Sequence, residues 1–376
     1  MTQFAVLGAG SAGQGLASFL ALRGYAVSLY NPPVHAERFE PIVRTKSVRV
    51  SGVLSGVARF ARATSDLGEA LAGADVVFLT LRAFAHRDVL EASLAHLEPG
   101  QLVVIVTGYW AALRLRQLLD RLDSRILVAE TTLLPLASEA IGQNEVKITG
   151  IKSRVKLAAF PAKRTPEAVE RVQEALPQIV PGNTVLDTNL DNFNPVVHAP
   201  IALLNLGELE RNPAFEFYRQ GTTPKVAAVM DRMDAERLDL GRTLGLEPCG
   251  ATDSLRLYYG ASGATTVDVF RDCRAYAGYV LPNVFDYIRE DVPYGLVPLA
   301  SLGESVGVPC PALRSVIAGW STVDGVDYWN EGTTLDRLGL AGLTALQVLE
   351  YVRTGRPPGT RTRHPPAAHP TRGPRD

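Results

Sequence analysis

The run Gly8-Ala9-Gly10-Ser11-Ala12-Gly13 constrains this chain more than any other feature, because of where it stands. It directly follows the apolar segment Phe4-Ala5-Val6-Leu7 and opens a helical pattern that reaches about Arg23. A second apolar segment, Ala26-Val27-Ser28-Leu29-Tyr30, comes next. A strand, a glycine turn, a helix and a second strand form the unit in which G-x-G-x-x-G holds a dinucleotide. The first glycine makes the turn, the second lets the backbone approach a pyrophosphate, and the third lets helix and strand close up. The helix then offers its free N–H groups and positive dipole end to the phosphates. Gly8, Gly10, Ser11, Ala12 and Gly13 are therefore the expected cofactor-binding residues, against the plainer reading of a tight turn.

An NAD-binding chain normally carries Asp or Glu at the end of the second strand, on the ribose hydroxyl. Here Asn31 stands there, followed by Pro32-Pro33, His35 and Arg38. Without a carboxylate nothing repels a 2'-phosphate, and Arg38 is placed to reach one. Asn31 and Arg38 thus favour NADP(H), with NAD(H) possible. The competing reading has Asn31 capping the strand and Arg38 solvated on a loop.

Further along, residues 74–79, 102–106 and 125–129 read as buried strands, separated by amphipathic stretches at 85–97 and 111–122. Residues 46–60 alternate around Gly52 and Gly56 as a hairpin, 144–160 read as two strands and 165–176 as a helix. Strand and helix in alternation predict a parallel sheet with helices on both faces. After about Asp187 strand patterns give way to long helical ones, as in 197–211 and 224–244. The expected domains are 1–186 (dinucleotide-binding) and 187–354 (all-helical). Residues 355–376, rich in Pro, Arg, His and Thr, are expected to stay disordered.

Composition closes off other classes. A formal net charge of −1 argues against nucleic acid as a partner. No apolar run is long enough for a bilayer, and no leader pattern opens the chain, so a cytoplasmic protein with no membrane association is expected. Cys249, Cys273 and Cys310 are widely spaced and odd in number, which fits neither a disulfide framework nor a metal site, so no metal is expected.

Several segments of the second half carry a resemblance. Asn189-Leu190-Asp191-Asn192-Phe193-Asn194-Pro195-Val196-Val197-His198-Ala199-Pro200 opens the helical half. Glu216 to Pro224 and Asp234 to Arg237 follow, then Arg289-Glu290-Asp291-Val292-Pro293-Tyr294-Gly295-Leu296-Val297-Pro298. Leu302 to Pro309, Asp327-Tyr328-Trp329 and Thr334 to Leu340 complete the series. In this order they resemble the octopine/nopaline (opine) dehydrogenase family over about residues 1–345. The resemblance implies an α/β Rossmann-type dinucleotide-binding domain followed by an all-α domain of the 6-phosphogluconate-dehydrogenase-like kind, with substrate in the cleft between them. It also implies the reaction: NAD(P)H-dependent reductive condensation of an amino acid's amine with a 2-oxo acid through an imine. The partners are then these small-molecule substrates, and a homodimer is possible.

By the same resemblance His198 is the catalytic acid/base and Asp291 its carboxylate partner. Imine formation moves protons near neutral pH, where an imidazole titrates. A paired carboxylate would hold the ring and fix its tautomer. From the residues alone Glu290 competes with Asp291, and His198 could equally cap or pack a helix. Three positions depart from the family's pattern on the substrate side. Thr333 stands where an arginine is common, Thr107-Gly108-Tyr109 replaces Asn-Pro-Gly, and Leu136 replaces an aromatic. A hydroxyl cannot reproduce arginine's fork on a carboxylate. Arg82 and His86, at the sheet's expected ligand edge, Asn205, Tyr258, Tyr259 and Tyr276 are further candidates, each with an ordinary structural alternative. Two other functions stay open: a ketopantoate-type 2-oxo acid reductase, and a dinucleotide-sensing protein without turnover.

Overall fold

A computed structural model describes residues 2–281 and 283–356. The tail expected to be disordered lies, from residue 357 on, outside the described residues. The strands are β1 (Gln3–Leu7), β2 (Ala26–Tyr30), β3 (Ser47–Gly52), β4 (Gly56–Arg59), β5 (Arg62–Thr64) and β6 (Val76–Leu79). They continue with β7 (Leu102–Ile105), β8 (Leu127–Thr131), β9 (Leu136–Gly142), β10 (Glu145–Ile151), β11 (Val155–Ala159) and β12 (Ile179–Pro181). The main sheet has the order β12-β11-β8-β7-β6-β1-β2-β5. All its neighbours run parallel except β8 and β11, which pair antiparallel. β6, β7 and β8 are buried along their whole length, as a sheet covered on both faces requires.

A second sheet, β4-β3-β10-β9, joins the hairpin at 47–59 to later strands. The sequence does not announce it. Its job is visible in the helix Ser11–Leu22, whose residues Gly13 to Leu20 are buried without a break. A helix beside one sheet buries a single stripe. This one is covered on its other side by β9, where Ser138 Oγ donates to Ser11 O at 2.9 Å and Ala140 N donates to Ser11 Oγ at 3.0 Å.

Among the described residues every regular element from Val185 onward is a helix. The expected run 197–211 is two helices, Asn194–Leu204 and Leu206–Arg211, and the expected run 224–244 is one, Pro224–Thr243. Thr223 caps that long helix and Pro224 fills its first turn, where a missing N–H costs nothing. Among the described residues no helix is long and apolar enough to cross a membrane.

One network pins the helical half to the sheet, and a second ties helices of that half together. Lys156, on β11, reaches Asp187 at 2.9 Å and Asp191 at 2.6 Å. Arg237, on the long helix, bonds Asp234 and the carbonyls of Leu190 and Cys249.

Candidate active site

The glycine loop has the form that its spacing predicts. Gly8 adopts φ +112° as its N–H donates to Tyr30 O at 2.9 Å. A Cβ on Gly13 would sit 1.6 Å from Gly8 O, whereas one on Gly10 would meet nothing within 4 Å. The helix start therefore has close packing behind it and open space before it, and no side chain caps its first N–H groups. That is the donor set and room that a pyrophosphate needs. Asn31 Oδ1 accepts from Ala9 N at 3.0 Å, so this side chain shapes the loop from the end of β2. The Ser11 hydroxyl is engaged with β9, and Arg38 lies exposed on the helix Ala36–Thr45.

His198 lies in the second turn of the helix Asn194–Leu204 and is 6% exposed. Its Nδ1 is 2.8 Å from Asp291 Oδ2, and its Nε2 is 2.9 Å from the Tyr218 hydroxyl. Asp291 ends the helix Val284–Asp291, immediately before a π-helical turn at Val292–Leu296. Gly295 in that turn lets the two elements touch, for a Cβ there would come within 2.3 Å of Pro195. This close approach delivers the carboxylate to the imidazole. The second Asp291 oxygen accepts from the Tyr109 hydroxyl at 2.6 Å. Burial, with the charges of Asp291 and Glu290, raises the Tyr109 phenol far above its ordinary range, so it stays protonated and donates.

Tyr109 is aimed by a strained turn. Tyr109 and the following Trp110 adopt φ +48° and +62°, uncommon for side chains of this size. Such backbone persists where its surroundings over-determine it. Trp110 N donates to Asn189 Oδ1 at 2.6 Å, and Ala112 N donates to the buried Glu130 at 2.9 Å. Thr188 Oγ1 and Asn189 Nδ2 also reach Glu130. Burial pushes the Glu130 carboxyl up to about 7, against those hydrogen bonds. Asn189, together with Thr188 and Glu130, thus holds the turn that orients Tyr109.

Glu290 and Asp291 turn to different partners. Glu290 accepts from Ala83 N at 2.6 Å and from Arg82 Nη1 at 3.0 Å. Arg82 lies over the Tyr287 ring at 5.2 Å, and Tyr287 stacks on His198 with centroids 4.3 Å apart. Tyr218 in turn stacks on Tyr276 at 3.9 Å, and Tyr279 shares a 2.7 Å hydroxyl contact with Tyr287. An aromatic wall thus surrounds the imidazole. Its members were absent from the expected site except Tyr276, because their faces are fixed by packing between helices distant in sequence.

The remaining candidates resolve as structural groups. Asn205 Nδ2 donates to the carbonyls of Ile201 and Gly221. Thr333 is buried, its N–H held by Pro293 O at 2.7 Å. Tyr258 packs beside Phe193, and Tyr259 meets Tyr276 edge-on at 6.2 Å.

His86 is fully buried; its Nε2–H donates to Leu81 O and its Nδ1 accepts from Arg114 Nη2, both at 3.1 Å. Burial and the Arg114 charge push it down to about 3, so it is neutral and braces the loop that carries Arg82. Below its unfolded pKa of about 6.5 the unfolded chain takes up a proton that the folded chain refuses. Stability then falls by up to about 1.4 kcal/mol per pH unit from 6.5 toward 3. His86→Gln keeps a donor and an acceptor without titrating. Urea midpoints measured from pH 7 to pH 4 are expected to fall less steeply in this variant than in the wild type; equal slopes would refute the assignment.

A dinucleotide loop on a Rossmann-type sheet, with a buried imidazole–carboxylate pair on the adjoining helical half, defines an NAD(P)-dependent oxidoreductase. The comparisons narrow this class. The family model described as NAD/NADP octopine/nopaline dehydrogenase, alpha-helical domain, matches residues 181–323, and one described as NADP oxidoreductase coenzyme F420-dependent matches residues 3–109. An opine dehydrogenase of Arthrobacter sp. (strain 1C) is 32% identical over 93% of this chain and 98% of its own. The chain therefore belongs to the opine dehydrogenase family, oxidoreductases that act on the CH–NH group of donors. In fold it is similar to octopine dehydrogenase solved with NADH and L-arginine (TM-score 0.71, 19% identity, 95% of this chain and 98% of that one). It is also similar to yersinopine dehydrogenase solved with NADP+ (TM-score 0.65, 16% identity, 94% and 98%).

Proposed function

We propose that this protein joins the amine of an amino acid to a 2-oxo acid and reduces the imine, with His198 as acid/base and Asp291 as its positioning partner. The observation that carries this reading is the 2.8 Å contact between His198 Nδ1 and Asp291 Oδ2, which leaves Nε2 as the working nitrogen. With its proton on Nδ1 held by Asp291, neutral His198 presents a lone pair at Nε2. Nε2 takes a proton from the ammonium of the amino acid, freeing the amine to attack the oxo carbon. It returns that proton to the hydroxyl that leaves as water when the imine forms. Tyr218, kept a phenol mainly by burial, donates to Nε2 while no substrate is there. Tyr109 and the imidazole divide the two oxygens of Asp291 between them, which stops the carboxylate from rotating away.

Gly8, Gly10, Ser11, Ala12 and Gly13 would hold the dinucleotide's phosphates through the helix start. The bound reduced nicotinamide supplies the hydride. The lack of a carboxylate at Asn31 and the exposed Arg38 favour NADP(H) over NAD(H). Free Cys249, Cys273 and Cys310 fit a reducing cytoplasm, where reduced nicotinamide is at hand.

The test is the loss of NADPH, and separately NADH, absorbance with a grid of amino acids against 2-oxo acids. Oxidation that requires both co-substrates, faster with NADPH, is expected. Oxidation with the oxo acid alone would replace this reading with a hydroxy-acid dehydrogenase. Tight cofactor binding without turnover across the grid would replace it with a sensor.

A further inference from the structure

Each co-substrate of this reaction carries a carboxylate, and the product carries two. The site itself adds Asp291 and Glu290, so a cation has to balance the anions that assemble there. At Thr333, where the family commonly has an arginine, this chain has a buried threonine whose backbone N–H is held by Pro293 O. Arg114, Lys152, Arg219 and Arg82 are four cations with aromatic or acidic neighbours in this part of the molecule. Arg114 lies half-buried under Tyr294 and is engaged by His86. Lys152, over Tyr259 at 5.5 Å, is pushed down to about 7 by burial, which weakens its hold on a proton. The charge of Arg219 is felt by Asp272 and Cys273. Arg219 is likewise half-buried, but Arg82 alone of the four lies over a ring, Tyr287, that stacks on His198. Its side chain is 40% exposed, and it follows β6 at the carboxyl edge of the parallel sheet, where ligands bind.

Among the described residues only Nη1 of Arg82 is spent, on Glu290, leaving the other guanidinium donors open. Glu290 and the Tyr287 ring hold the group in place, and that ring lies against His198. We infer that Arg82 grips a substrate carboxylate and sets it against His198, an assignment that rests on the condensation proposed above. It is a positioning and specificity residue. The fork of an arginine suits a carboxylate, and the anchored, stacked setting of Arg82 means that little freedom is lost on binding.

The experiment compares each acid co-substrate with its uncharged amide, in the wild type and in Arg82→Met. The wild type is expected to prefer the acid, and in Arg82→Met the preference for one co-substrate is expected to collapse by about 10²-fold in kcat/KM, chiefly through KM. The co-substrate whose preference collapses is the one Arg82 holds. Because Arg82→Met strands Glu290, the double variant Arg82→Met/Glu290→Gln is run beside it and is expected to show the same collapse. Arg82→Lys is expected to restore part of the preference, and Arg219→Met to leave it intact. An unchanged acid-to-amide ratio in Arg82→Met and in the double variant overturns the inference. So does a matching rise in the Kd for NADPH, which would place the guanidinium on the cofactor's phosphates. If the wild type condenses no pair at all, the underlying reading fails first, and this one with it.

Discussion

Replacing His198 with alanine is expected to lower kcat for the condensation by about 10²–10⁴-fold, the span usual for a lost acid/base. Binding of NAD(P)H, followed by the quenching of protein fluorescence, is expected to be unchanged, because His198 lies on the helical half and the glycine loop between β1 and β2. Asp291→Asn is expected to fall in the same range. An amide can donate to Nδ1, which would move the imidazole proton to Nε2 and remove the lone pair that the amine needs. The double variant is expected to be no slower than His198→Ala alone, since two residues that act as one unit are lost only once. Additive losses, or an His198→Ala enzyme within a few-fold of wild type, would mean that the pair is a packing feature and that the acid/base lies elsewhere.

The division of labour between Glu290 and Asp291 shows how far sequence reading reaches. Adjacent residues on a helix point about 100° apart, so only one of the two can face His198. Which one does so depends on the phase of the helix Val284–Asp291 against the helix Asn194–Leu204, a tertiary quantity. The family resemblance named Asp291, and it is the Asp291 Oδ2 that lies 2.8 Å from His198 Nδ1. The glycine loop is the opposite case. Its turn, helix start and flanking strands all follow from a few neighbouring residues, and a local signal is legible wherever local interactions decide the outcome.

What stayed hidden was decided by contacts between distant residues. β9 is written Leu136-Ala137-Ser138-Glu139-Ala140-Ile141-Gly142, a poor strand by propensity, and forms because it covers the helix Ser11–Leu22 and pairs with β10. Tyr109 looked like a departure from the family's pattern at a turn. Its hydroxyl reaches Asp291 from a turn at positive φ that the contacts of Glu130, Asn189 and Trp110 brace. Arg82 and Glu290 lie 208 residues apart, and nothing at either position announces the other.

Arg237→Met is expected to cost about 3–5 kcal/mol of stability, the range for breaking a buried ion pair by removing one partner. Arg237 has no exposed side-chain surface and sets Nη2 2.6 Å from both Asp234 Oδ1 and Cys249 O, while Nη1 reaches Leu190 O. Methionine fills much of the volume but leaves two carbonyls and a carboxylate unmet. The consequence runs beyond one helix. Cys249 N is held by Asp191 Oδ1 at 2.6 Å, and Asp191 is held by Lys156 on β11, so the network crosses from the helical half into the main sheet. The drop in urea midpoint is expected to change little at raised salt, because Arg237 is fully buried and Asp234 largely so, and such a pair is poorly screened. A loss below about 1 kcal/mol, the value of an exposed pair, would show that the burial is not maintained in solution. Arg237→Lys should fall between the two, since a single ammonium cannot reach all three acceptors at once. Removing Asp234 as well would not restore the wild-type value. Its other oxygen holds Ala251 N at 2.8 Å, at the start of the helix Ala251–Tyr259, and the carbonyls of Leu190 and Cys249 would still lack a donor.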